Sequence, residues 1–136
     1  MADDIIFNKA EIIERCIKRI KDEYADEPDN LNNITKQDSI ILNIQRACEA
    51  AIDIAMHIVS ENRLGIPQNS RDAFDILYRN NIIDSDLSKK MKAMVGFRNL
   101  AVHNYQIINL DIIKAIIQKN LHDLLLFEEK ILKLSL

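Results

Sequence analysis

Glycine and proline are almost missing from this chain: two of each in 136 residues. That is about 3% of the chain, where average usage gives roughly 12%. Sandwiches, small barrels and glycine-loop nucleotide folds need many turns and many left-handed backbone positions, and so few of these residues cannot supply them. No glycine-rich phosphate loop or dinucleotide fingerprint is present. What is left is a helical chain with few breaks. Isoleucine is abundant and favours strands, so the period of the apolar positions has to decide between helix and strand.

That period is helical. Five segments are readable, and they are expected to form an all-α antiparallel four- to five-helix bundle with residues 1–136 as one domain. The first runs from about Asp3 to Tyr24, with Ile5, Ile12, Ile13, Cys16, Ile17, Ile20 and Tyr24 on one face. The second runs from about Thr35 to Asn62, and Gly65 and Pro67 are expected to close it. The third starts at an N-cap at Ser70 and reaches Arg79. The fourth runs from Ser85 to about Leu100, and the fifth from Asn109 almost to the C-terminus. In the fifth, residues from Ile112 to Leu132 are apolar around close to half of the circumference. Two explanations stay open: a central place in the bundle, or a second packing surface covered by a homodimer.

Hydrophobic residues make up 48% and charged residues 29%, which is globular composition rather than disorder. The net charge of −3 argues against generic electrostatic affinity for nucleic acid, so any such binding needs a local patch. Cys16 and Cys48 match no metal-ligand spacing and read as reduced, buried small hydrophobes. The acidic, charge-interrupted N-terminus is unlike a signal peptide, and no apolar run approaches a membrane span. No membrane association and a cytoplasmic location are expected.

One segment departs from plain bundle: Gly96-Phe97-Arg98-Asn99-Leu100-Ala101-Val102-His103-Asn104-Tyr105. It concentrates Arg, two Asn, His and Tyr between two helices, with Lys89, Lys90 and Lys92 just upstream. Five residues along an ideal helix is a rotation of about 140°, so Arg98 and His103 would not share a face. Arg98 falls on the Leu87–Met91–Met94 stripe. For both to serve one site, the helix must loosen near Leu100 or the site must lie between subunits. Asn99 and Asn104 could position phosphate or base or simply cap the helix, and Asn104 also suits a helix stop. Gly96 leaves room for another chain or an RNA backbone to come close.

Arg98-x4-His103-x-Tyr105 resembles the R-x4-H-x-Y signature of HepT-type toxins, members of the HEPN superfamily of helical domains. The long second helix, from Ile41 to His57, is also similar to that family's, and the resemblance spans essentially the whole chain. It implies a metal-independent endoribonuclease, the toxin of a toxin–antitoxin pair, with no cofactor. The implied substrate is RNA, with tRNA among the candidates. The implied partner is an MntA-type nucleotidyltransferase antitoxin that transfers AMP to Tyr105. The chemistry needs a base for the ribose 2′-OH, an acid for the leaving 5′-oxygen and a cation for the phosphorane. His103 suits proton transfer and Arg98 suits phosphate. A two-fold dimer would bring two copies of each to one cleft.

Arg46, Glu49, Asp53 and His57 form a polar stripe on the second helix. It reads either as a solvated face or as a cleft lining in which Glu49 and Asp53 orient Arg98 or His103. A metal reading is weaker, because the paired Glu-x-x-His pattern of carboxylate-bridged bundles is missing. The rival to a nuclease is a non-catalytic helical substrate-binding or partner module for a nucleotidyltransferase.

Overall fold

A computed structural model describes residues 4–135, so the start expected at Asp3 lies outside the described residues. The fold is all-α. Helices α1 (Asp4–Tyr24), α2 (Ile34–Glu61), α3 (Ser70–Arg79) and α4 (Ser85–His103) are followed by a last long helix. That helix consists of α5 (Leu110–Ala115), a π-helical turn at Ile116–Asn120 and α6 (Leu121–Ser135). Short 3-10 turns at Pro28–Asn32 and Tyr105–Ile107 join α1 to α2 and α4 to α5.

The apolar periodicity translates directly into packing. On α1, the buried set is Ile6, Ala10, Ile13, Cys16, Ile17, Ile20 and Tyr24. Ile5, expected inward, is 48% exposed, and Ile6 takes its place. Helix α2 is buried around most of its girth, from Ile40 to Val59, because α1, α3, α4 and α6 all pack on it. The last helix also lies deep: Ile113, Ile116, Leu121, Leu124, Phe127 and Ile131 are buried. It packs on α1, α2 and α4. Its broad apolar face is therefore mostly used inside one chain, which favours the central-helix explanation over a dimer for that feature. Rings from α3 and α6 meet edge-on at the centre, Phe74 and Phe127 with centroids 5.4 Å apart.

Helix starts use polar caps. Asn33, Asn69, Asp84 and Asn109 accept from backbone N–H groups of Lys36, Asp72, Leu87 and Ile112. The N-cap of α3 is thus Asn69, one residue before the expected Ser70. Helix stops correct the reading of Gly65. Helix α2 ends through Arg63 in the left-handed region (φ 50°), with the Leu64 N–H reaching back to Val59 O. Ala25, Asp26 and Asn81 are also left-handed, after α1 and α3.

Candidate active site

Helix α4 continues without a break through Leu100 to His103, three residues beyond the expected end. Asn104 ends it as the C-cap: its N–H bonds to Leu100 O at 2.8 Å, and its backbone leaves the helical region (φ −142°, ψ 49°). The helix does not loosen, so Arg98 and His103 stay on different faces. Arg98 is half-buried and points toward the start of α3. Its Nη2 donates to Ser70 Oγ at 3.1 Å and its Nε donates to Asn99 Oδ1 at 2.9 Å. Asn99 therefore neither caps nor faces solvent alone; it fixes the plane of the guanidinium. The Arg98 charge also acts on the Cys48 thiol of α2, partly offsetting the burial that pushes that thiol up to about 12.

Gly96 has a different occupant from the one expected. A Cβ there would stand 2.9 Å from Nη2 of Arg71, so the arginine from the first turn of α3 lies over the glycine. Arg71 also reaches Lys92 O through Nε at 3.4 Å. Two guanidiniums, Arg71 and Arg98, are thus gathered where α3 begins against α4, with the positive end of the α3 dipole beside them. Lys92, by contrast, is paired to Asp75 at 2.7 Å. His103 is exposed at the very end of α4.

Tyr105, 40% exposed, opens the 3-10 turn that follows. Its Oη donates to the carboxylate of Asp38 near the start of α2. Burial first, then the Asp38 hydrogen bond and charge, push the phenol up to about 12. On the polar stripe of α2, Asp53 meets Lys9 of α1 at 2.9 Å rather than Arg98 or His103. Glu49 is half-buried next to Cys48, Arg46 is exposed, and His57 lies 3.9 Å from Glu61. The structure thus joins Arg98 to Asn99 and Ser70, Arg71 to Gly96 and Lys92, and Tyr105 to Asp38, while the stripe is dominated by helix-to-helix and in-helix pairs. Among the described residues, no group of three or more His, Cys, Asp or Glu is placed to hold a metal ion.

Three of these residues escaped the sequence reading. Asp38 is 67 positions from Tyr105 and carries no local mark. Ser70 is expected only as a cap, and Arg71 has no local mark that singles it out.

The site defines a helical domain that presents arginine, histidine and tyrosine at the end of one helix. Comparison with known proteins names its kind. The family model "Ribonuclease HepT-like" matches residues 13–131. The mRNA nuclease HepT of Shewanella oneidensis is 54% identical over 121 residues, 89% of this chain and 91% of that protein. The tRNA nuclease HepT of Aphanizomenon flos-aquae is 31% identical over 106 residues, 77% of this chain and 72% of that one. A toxin–antitoxin crystal structure with AMP-PNP contains a chain that superposes with a TM-score of 0.91 at 51% identity, covering 95% of this chain and 98% of that one. The tri-AMPylated Shewanella oneidensis HEPN toxin in complex with MNT antitoxin gives 0.90 at 52% identity, covering 95% and 97%. The chain belongs to the ribonuclease HepT-like family.

Proposed function

We propose that this protein is the toxin of a toxin–antitoxin pair, an endoribonuclease that cleaves RNA by attack of the 2′-OH on the adjacent phosphorus. The more similar of the two curated relatives is an mRNA nuclease, which favours messenger RNA over tRNA as the target. The observation that carries the reading is the Arg98 environment. Ser70 and Asn99 hold its fork in one plane beside Arg71 and Gly96, the arrangement a pentacoordinate phosphate needs. His103 takes the 2′-OH proton or returns one to the leaving 5′-oxygen, since an imidazole can both accept and donate a proton. The products are a 2′,3′-cyclic phosphate and a 5′-hydroxyl, with no metal in any step.

Because α4 stays helical, Arg98 and His103 of one chain diverge by about 140°. This supports a composite site in a two-fold dimer, where His103 of one copy works with Arg98 of the other. Val102, Ile107 and Ile112 flank His103 as exposed apolar side chains that such a contact would cover. The nucleotidyltransferase antitoxin silences the enzyme by AMP transfer to Tyr105. The added phosphate, two residues from His103, competes with RNA for the same cations. A cytoplasmic setting fits Cys16 and Cys48, both free thiols, and no described helix is long and apolar enough to cross a membrane.

Induced expression tests the nuclease reading. Wild type should arrest growth, and Arg98→Ala and His103→Ala should not. Equal toxicity of all three would refute it.

A further inference from the structure

The phenol of Tyr105 has a partner that RNA cleavage does not use. Asp38 stands near the start of α2 and Tyr105 at the exit of α4, 67 positions away, yet the fold sets the hydroxyl directly on the carboxylate. Both residues are exposed, so an approaching protein can reach the pair. Burial, then the Asp38 hydrogen bond and charge, push the phenol up to about 12, so at neutral pH it keeps its proton. A protonated phenol is a weak nucleophile, and its attack on phosphorus needs a group to take that proton. The Asp38 carboxylate already holds it by a hydrogen bond, at the reach required of a general base.

We propose that Asp38 is the general base for AMP transfer to Tyr105, so that the target chain supplies the proton acceptor for its own modification. The inference rests on the reading of Tyr105 as the AMP acceptor. In the step, Tyr105 Oη forms a bond to the α-phosphorus of a nucleoside triphosphate held by the transferase. The bond from that phosphorus to the bridging oxygen of the β-phosphate breaks, and pyrophosphate leaves with the electron pair. The phenol proton passes to the Asp38 carboxylate. The carboxylate that raises the resting phenol's pKa thus also removes its proton once the phosphorus is in place.

The test uses the full-length chain, its nucleotidyltransferase partner and ATP with magnesium, following AMP incorporation by intact mass across a pH series. Asp38→Asn should slow incorporation by about 100-fold or more at neutral pH. Its remaining rate should climb with pH as the phenol ionises by itself, while the wild-type rate stays level across neutral pH. Asp38→Glu, which keeps a carboxylate, should recover most of the rate. Wild-type rates in Asp38→Asn would overturn the proposal. So would a slowed Asp38→Asn with the wild-type pH profile, because that pattern belongs to a lost contact rather than a lost base. Tyr105→Phe separates the two readings. If it still takes up AMP, the acceptor assignment fails and Asp38's role falls with it. If it takes up none while Asp38→Asn reacts normally, only the role of Asp38 fails.

Discussion

Arg98 illustrates what the fold adds to a short motif. Its spacing from His103 and Tyr105 is visible in the chain because all three fall within eight consecutive residues. Its anchors are not: Ser70 is 28 positions away and belongs to another helix. Arg71 is invisible for a related reason, since only the packing of α3 on α4 brings its guanidinium over Gly96. If Arg71 shares phosphate with Arg98, Arg71→Ala should weaken RNA binding across sequences and lower the salt slope by about one ion. Fluorescence anisotropy at several salt concentrations measures this, and an unchanged slope would remove Arg71 from the site. Tyr105 offers a second residue-level check. Isotope-labelled tyrosine NMR should show its phenol titrating near 12 in wild type. In Asp38→Asn it should shift down toward the ordinary value of about 10.

At the level of elements, scarcity of glycine has a structural consequence. The helices still need left-handed residues at their ends, and Ala25, Asp26, Arg63 and Asn81 fill those places. A left-handed residue with a side chain costs roughly 1–2 kcal/mol relative to its right-handed form, and glycine does not bear that cost. Ala25 is exposed, so Ala25→Gly loses no packing. It should raise stability by about 1 kcal/mol in urea unfolding; a loss would show that the strain is relieved elsewhere. Helix existence was legible because long apolar periods survive any detail of capping. The stops were not, because Gly65 looked like the natural terminator and Arg63 did not. The α1–α6 contact holds a second hidden feature. Glu128 is buried against Glu14, and burial, then the Glu14 hydrogen bond and charge, push it up to about 8. It therefore stays protonated and donates, while its Oε1 has no partner. Between about 4.5 and 8 the unfolded chain has released this proton and the folded chain has not. Stability at this site is thus greatest below that window, falls across it and is level above it. Glu128→Gln should flatten the dependence and add about 1 kcal/mol or more above pH 8, a few degrees in Tm. An equal slope in both proteins would contradict this.

At the scale of the whole molecule, an acidic, glycine-poor bundle handles phosphate without a phosphate loop. Packing of α3 against α4 concentrates two arginines that the net charge of −3 conceals. The breadth of the last helix was the least decisive signal, since the same pattern describes a central helix and a dimer face. Burial on three sides assigns most of it to the interior. The case for a dimer now rests on the straightness of α4, which keeps Arg98 and His103 of one chain apart. Mixed dimers with one Arg98→Ala chain and one His103→Ala chain should regain one intact composite site, about half of the wild-type dimer's activity. No recovery would place both residues of each site in the same chain. The central claim, metal-free cleavage by Arg98 and His103, is tested most directly by end analysis of RNA cut by the purified protein in EDTA. Wild type should leave 2′,3′-cyclic phosphate and 5′-hydroxyl ends, and Arg98→Ala and His103→Ala should cut at least about 100-fold more slowly. Cleavage abolished by EDTA, or equal in the two variants and wild type, would contradict it.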